Sequence, residues 1–403
     1  MLPGTRAGAQ RGLGQVRPGD PGGVRSGHTC LGTGVIHRPR NRSPEGSARP
    51  GTLTAMRPTL KPGLLHLWRD GKTIQIGVDP RRGFAVTGLG DAVAAVLAIL
   101  DGSRDRAALL AETAARGITA AATDRVLALL AAGGALDDFP VTARHVLPEA
   151  TRERLAPELA TASLAHRDGD GGVRVIARRL LSQVRVHGAG RIGSSIACLL
   201  AASGVGHVTC RDRRSARRAD AAPAGFGLAD AGAPRERGVA RAIRRVAPDV
   251  RTDDDGTRPD LAVLTDGHDP GLIAGLMTDR VPHLTATAAE AIGVVGPLVL
   301  PGRSACLRCL DLTRTDHDPA WPAIAAQLAG KSPATPACDA VLATAVAAHA
   351  AGQVLAFIDR TGPAPTVING TLELVLPDWR WRRRTWPVHG ECACGRCTSV
   401  SGQ

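Results

Sequence analysis

Tyrosine is absent from the 403 residues, and only four Phe and five Trp supply aromatic rings. A single-strand nucleic-acid binder stacks bases on such rings, so that class loses its platform. Lysine is nearly absent too. Lys61, Lys72 and Lys331 are the only three among 50 basic residues, the rest being Arg. With Ala and Gly equally abundant, this reads as coding bias before it reads as phosphate recognition. The formal charge of +13 is also unevenly spread, because residues 1–55 hold eight Arg against Asp20 and Glu45 and so carry +6 of it. No nucleic-acid partner is expected. A long apolar run is missing as well. Ala340–Ile358 comes nearest, but His349 and Gln353 interrupt it, and it reads as a core helix rather than a span of ~20 apolar residues. The N-terminus has no apolar signal region, and five of the nine Cys fall in two tight clusters rather than in a secreted disulfide framework. These absences predict a soluble, cytoplasmic protein with no membrane partner.

Residues 1–55 are rich in Gly, Arg, Pro and Ser without a hydrophobic period, which predicts a disordered tail. Patterning starts at Met56, itself a candidate translation start. From 56 to 139, Leu65–Trp68, Thr73–Val78 and Gly83–Thr87 read as short strands. Leu89, Val93, Val96, Leu97 and Leu100, then Leu109/Leu110 and Val126–Leu130, read as helices. This is a small winged-helix-like module. It reads either as a packing or dimerisation domain or as something sharper. It resembles the PqqD-like leader-recognition domain, which implies capture of an extended peptide on a strand edge. Residues 140–178, with Pro140, Pro148, Pro157 and the Asp168–Gly172 run, read as a linker to a domain over 179–397.

The start of that domain carries the most information. Gln183–His187 alternates as a strand and runs into Gly188-Ala-Gly190-Arg-Ile-Gly193, followed by a helix and a second strand, His207–Cys210, ending at Asp212. Glycines so spaced permit a tight turn, close backbone approach and tight helix–strand packing, with free helix N–H groups facing a phosphate. Asp212 sits where a carboxylate can bond a ribose hydroxyl. The same fingerprint fits a nicotinamide dehydrogenase or a packing turn with no ligand. Asp260-Leu-Ala-Val-Leu-Thr-Asp266 then reads as a buried strand ending in a carboxylate, at the sheet edge where doubly wound folds hold ligands.

As an ordered set, these segments resemble the ThiF/MoeB/HesA (ubiquitin-activating-enzyme-like) superfamily. The set is Gly188–Gly193, Gly204-Val-Gly206 with Asp212, Thr265-Asp266, and Gly296-Pro-Leu-Val-Leu-Pro-Gly302 followed by Cys306-Leu-Arg-Cys309. The likeness runs from about 180 to 397. It implies ATP and magnesium binding, with attack of a C-terminal carboxylate, often of a Gly-Gly carrier protein, on the α-phosphate. By position, Asp212 would hold the ribose, Asp266 the magnesium, and Arg235 would stand where a lysine touches phosphate. The superfamily's Asn-Leu-x-Arg-Gln motif is missing, and Gly227-Leu-Ala-Asp230 is the nearest stretch. Arg191, inside the glycine loop, either compensates for it or is simply solvated. Cys338 opens the long apolar helix, where some members carry a thioester-forming cysteine. A plain helix-start cysteine is the other reading.

Cys306-x-x-Cys309 and Cys394-x-x-Cys397 form two knuckles able to offer four thiolates to one structural zinc, with Cys392-Ala-Cys394 as an alternative second half. Thr366–Asn369 and Thr371–Leu376 read as two strands joined at Asn369-Gly370. Trp379, Trp381 and Trp386 alternate with Arg380 and Arg382–Arg384 as a last strand, or as an acidic-peptide contact. The whole predicts an α/β doubly wound Rossmann-like sheet with a zinc knuckle behind a winged-helix-like module, assembled as a homodimer. Its expected function is ATP-dependent adenylylation of a small protein or peptide. A non-catalytic scaffold presenting a precursor peptide is the rival reading. An NAD-dependent oxidoreductase is third, since no hydride-relaying His or Tyr is evident.

Overall fold

The computed structural model describes residues 27–31, 34–38, 57–138, 147–166, 168–266, 269–328 and 335–394. The chain forms two compact units. The first takes its described residues from 27–31, 34–38, 64–100 and 106–135, and the second from 57–63, 101–105 and 136–394.

In chain order, β1 (Gly27–Leu31), β2 (Gly34–Arg38), β3 (Pro58–Leu60), β4 (His66–Asp70), β5 (Thr73–Ile76) and β6 (Phe84–Thr87) precede α1 (Gly90–Leu97), α2 (Arg106–Ala114) and α3 (Ala120–Ala132). All but β3 belong to the first unit. β4, β5 and β6 form an antiparallel meander, turned between β4 and β5 by Asp70, which accepts the Lys72 N–H at 2.7 Å. Alternation along β5 sends Ile74 and Ile76 inward, where Phe84, Val93, Val96, Leu109, Val126 and Leu130 are also buried. Each such side chain contributes roughly 1.5–3 kcal/mol by leaving water. Thr119 caps α3 by accepting the Ala122 N–H at 3.3 Å. The outer strand β4 is exposed along its whole length, Leu67 and Trp68 included.

Within residues 1–55, read from composition as a tail, β1 and β2 form a hairpin whose second strand pairs antiparallel with β6. Composition does not reveal it, because adding a strand to an existing edge draws on main-chain groups rather than on apolar content.

The second unit adds β7 (Leu136–Asp138), paired with β3, and then α4 (Glu149–Arg154), α5 (Ala156–His166) and α6 (Val173–Leu181). The segment 140–178, expected to be a linker, is therefore largely helical where it is described. Its prolines start helices rather than break them: Pro148 is the N-cap of α4, and Pro157 lies in the first turn of α5, where a missing N–H costs nothing. Lys61, beside β3, is buried against Asp137 of β7 and donates to the Ser163 carbonyl at 2.9 Å and hydroxyl at 2.8 Å on α5.

The main sheet follows: β8 (Gln183–His187), α7 (Arg191–Ala202), β9 (His207–Arg211), α8 (Arg235–Val246), β10 (Leu261–Leu264), α9 (Pro270–Thr278), β11 (His283–Ala289), β12 (Ile292–Val299), α10 (Leu307–His317), α11 (Trp321–Leu328), α12 (Ala340–Asp359), β13 (Gly370–Val375) and β14 (Arg380–Thr385). Its order is β14-β13-β12-β11-β10-β8-β9, with β9, β8, β10 and β11 mutually parallel and the rest antiparallel. All four residues of β10 are buried, as expected of a parallel strand covered on both faces. The chain leaves β8 toward β9 on one side and returns to β10 on the other, so a crevice opens at the carboxyl ends of β8 and β10. Among the described residues α12 is the one helix long and apolar enough to cross a membrane. Leu342, Val346, Ala350 and Val354 are buried along it in the core of the sheet. A Cβ on Gly293 of β12 would stand 2.4 Å from Val346, so strand and helix are in close contact.

The turn at Asn369-Gly370 does not join two strands. Residues 366–369 form a turn leading into β13, and the hairpin to β14 closes over 376–379 instead. Asn369 adopts φ +52° there, and its side-chain carbonyl accepts the Ala305 N–H at 2.8 Å.

Candidate functional site

The glycine loop lies at the crevice between β8 and β10. Gly188 has φ +94°, and a Cβ on it would come within 2.6 Å of Thr265 Oγ1 and 2.8 Å of the Asp266 carboxylate. Thr265 Oγ1 donates to the Gly188 carbonyl at 3.0 Å, tying the end of β10 to the loop. A Cβ on Gly193 would meet the Gly188 carbonyl oxygen at 2.0 Å, so this glycine sets how closely α7 approaches the strand. Gly190 differs from both, because the nearest atom to its Cβ would be Asp266 Oδ1 at 3.6 Å. Among the described residues, space therefore lies open beyond Gly190, at the N-terminus of α7, where first-turn N–H groups and the helix dipole favour an anion.

Behind this space lies a network of carboxylates and arginines. Asp212, buried, accepts five hydrogen bonds: the Ala189 N–H at 2.8 Å, the Arg214 N–H at 3.1 Å, Arg214 Nε at 2.8 Å, Arg214 Nη2 at 2.7 Å and Arg235 Nη1 at 2.9 Å. Burial alone would raise its pKa. The arginines and the Ala189 N–H outweigh burial and hold the carboxyl well below the usual range. Arg235, buried in the first turn of α8, also bonds Asp220 at 2.7 Å and lies 3.8 Å from Asp266 Oδ2. Burial opposes its charge, but Asp212 and Asp220 more than offset this and raise its pKa. The Arg214 guanidinium bridges from Asp212 to Asp266 Oδ2. Glu236 accepts the Asp212 N–H at 3.0 Å.

The structure thus gathers Gly188, Gly190, Gly193, Asp212, Arg235 and Asp266 in one crevice. Arg191 begins α7 there, but its guanidinium is turned to the carbonyls of Ala219 at 2.5 Å and Cys338 at 3.2 Å. Cys338 lies one residue before the N-cap of α12, which is Asp339. Burial raises its thiol pKa against the pull of Arg191. Arg214, Asp220 and Glu236 were not anticipated as site residues. Only Arg214, two positions after Asp212, left a signal that could have been followed.

The cysteine cluster lies elsewhere in the unit, in a small core with Val299, Leu310 and Trp386. Cys306 is the N-cap of α10 and Cys309 lies in its first turn, which aims both sulfurs the same way. Cys306 Sγ is 3.8 Å from Cys309 Sγ and 3.6 Å from Cys392 Sγ, and Cys309 Sγ is 3.4 Å from Cys394 Sγ. Four thiolates at ~2.3 Å from a tetrahedral zinc stand roughly 3.8 Å apart, so these four fit the metal. Among the described residues the second pair is Cys392 and Cys394, the alternative second half that the spacing offered. A tight turn in which the Cys392 N–H donates to the His389 carbonyl at 3.0 Å swings Cys392 inward, and Cys397 lies outside the described residues.

The second unit thus combines a doubly wound sheet with the glycine loop at its switch point, an antiparallel extension and a four-cysteine cluster, the features on which the sequence resembles the ThiF/MoeB-like superfamily. Solved structures share this fold. E. coli MccB with ATP superposes with a TM-score of 0.58 at 16% identity, over 84% of this chain and 99% of that one. The Microcin C7 biosynthetic enzyme MccB in complex with N-formylated MccA gives 0.59 at 16% identity over the same shares. PaaA gives 0.62 at 18% identity, over 80% of this chain and 98% of that one. No protein-family model and no curated protein matches the sequence.

Proposed function

We propose that the chain is an ATP-dependent adenylyltransferase that activates the C-terminal carboxylate of a peptide or small protein. The observation that carries this reading is the open space at Gly190, flanked by the N-terminus of α7 and the Asp266 carboxylate. Phosphates would lie against the loop and the first turn of α7. Asp212 would bond the ribose, and Asp266 would hold a magnesium ion that neutralises phosphate charge. A substrate carboxylate oxygen then bonds to the α-phosphorus, the bond to the β-phosphate oxygen breaks, and pyrophosphate leaves with that electron pair. Arg235, desolvated and held between Asp212 and Asp220, stabilises negative charge as it builds, an effect commonly worth several kcal/mol. The related fold of MccB, solved with ATP and with MccA, supports this assignment. The exposed β4 edge of the first unit, with Leu67 and Trp68, supports a peptide as the substrate. The four-cysteine cluster would hold one zinc in a structural role, since four thiolates leave no open position.

A scaffold that presents a peptide to a partner enzyme is the second reading. It is favoured by the full complement of protein donors already on Asp212. Pyrophosphate exchange into ATP separates the two, measured with short peptides bearing a free C-terminal carboxylate, Gly-Gly endings included. Exchange that disappears in Asp266→Ala supports the enzyme. ATP binding without exchange leaves the scaffold, and no ATP binding leaves the fold alone.

A further inference from the structure

We propose that Arg214 is a displaceable counter-ion. It closes the crevice when nucleotide is absent and moves onto the polyphosphate when magnesium and ATP enter. The inference rests on the adenylyltransferase reading.

An ionised carboxylate offers about four lone-pair sites, and Asp212 already takes five hydrogen bonds. No lone pair is left for a ribose hydroxyl, so a donor must leave. The Ala189 N–H belongs to the fixed backbone of the loop. Arg235 is 4% exposed at its side chain and clamped a second time by Asp220. The Arg214 side chain is 57% exposed, and among the described residues its hydrogen bonds go only to Asp212 and Asp266. It is the donor free to go.

Asp266 supplies the reason for it to go. Its Oδ2 faces both Arg214 and Arg235, while Oδ1 points toward the space at Gly190. A divalent cation on this carboxylate and a guanidinium on the same carboxylate repel one another, so metal entry drives Arg214 outward. Asp212, Asp220, Glu236 and Asp266 carry four negative charges against three on Arg214, Arg217 and Arg235. This balance of −1 becomes neutral when a dication takes the place of one arginine. The released guanidinium lies beside the loop, where it can fork onto phosphate oxygens. It would then provide the charge that the missing Asn-Leu-x-Arg-Gln segment supplies in the superfamily the sequence resembles.

The test uses the full-length chain and its Arg214→Ala and Arg214→Lys variants, with circular dichroism confirming the fold. Manganese binding without nucleotide is read by electron paramagnetic resonance, and ATP binding at saturating magnesium by calorimetry. Arg214→Ala should bind manganese at least fivefold more tightly and ATP at least tenfold more weakly, with Arg214→Lys between wild type and Ala in both. A residue that merely pins the loop would weaken both ligands together, and that result overturns the proposal, as does no change in either. A wild-type chain that binds neither manganese nor ATP removes the adenylyltransferase reading and this inference with it. Should Arg214→Ala fail to fold, Arg214→Lys alone decides, by whether the two affinities move in opposite directions.

Discussion

Gly190 and Gly193 belong to one sequence fingerprint, yet the structure assigns them different work, and alanine at each position separates fold from function. At Gly193 a methyl group would lie 2.0 Å from the Gly188 carbonyl oxygen and 2.9 Å from its carbon. These are backbone atoms with no rotamer to give way, so α7 must lift from β8, at a cost of about 3 kcal/mol or more. At Gly190 the backbone is extended, with φ −71° and ψ −164°, and the added methyl meets nothing closer than 3.6 Å. The only loss there is the preference of an N-cap for Gly over Ala, about 0.5–1 kcal/mol. A bound phosphate would come against that methyl and lose a charge-assisted N–H contact of about 2 kcal/mol, roughly thirtyfold in Kd. Urea unfolding followed by circular dichroism gives the first quantity, and calorimetric titration with ATP at fixed magnesium gives the second. The expected pattern is a near-native midpoint with weakened ATP for Gly190→Ala, and a strongly lowered midpoint for Gly193→Ala. If Gly190→Ala is folded and binds ATP like the wild type, phosphates do not approach the loop and the nucleotide assignment fails.

Three further outcomes follow from other parts of the chain. The purified, reduced protein should hold close to one zinc, lost in Cys306→Ser and Cys392→Ser but kept in Cys397→Ser, because binding energy at such a site is partly folding energy. Metal analysis giving the reverse pattern for Cys392 and Cys397 would reassign the fourth ligand. Lys61→Ala should destabilise the chain by about 3–5 kcal/mol by leaving Asp137 charged and buried without its partner, and a shift under 1 kcal/mol in chemical unfolding would contradict the buried pair. His187, half-buried behind the loop, is held by burial and then by the charges of Arg185 and Arg211 at a pKa of about 4, against 6.5 unperturbed. The unfolded chain therefore takes up this proton first, and stability falls as pH drops from 6.5 toward 4, by about 2 kcal/mol between pH 7.5 and 5. His283 and His349 are shifted the same way, so the effect is read as the difference between wild type and His187→Gln. Equal pH profiles for the two proteins would refute it.

What could be read from the sequence, and what could not, divides along a physical line. The run from Gln183 through the glycines to Asp212, the buried strand ending at Asp266 and the long helix from Ala340 are contiguous patterns, and each signals itself by period or by special backbone residues. The partners of those elements are not contiguous. β2 completes a strand edge at β6, more than 40 residues away, through main-chain pairing that leaves no compositional mark. Asn369-Gly370 carries the strongest short hairpin signal in the region, yet β13 pairs back to β12 across α12, because the long-range register with Ile292–Val295 covers the sheet and a local hairpin does not.

The same division runs through the site and bears on how much the glycine fingerprint says. Packing alone accounts for Gly188, which needs positive φ and lies against Thr265, and for Gly193, which lies against Gly188. Both would be required in a strand–turn–helix that bound nothing. Only Gly190 is unexplained by the fold, so only Gly190 carries information about a ligand. Asp212 follows the same rule in reverse: its position is legible, but its five donors come from 189, 214 and 235, and its saturation can be seen only once those residues meet. A carboxylate whose every lone pair is taken by the protein is either a structural pin or a ligand site waiting for one donor to leave. The exposed Arg214 beside the buried Arg235 is the physical reason to favour the second.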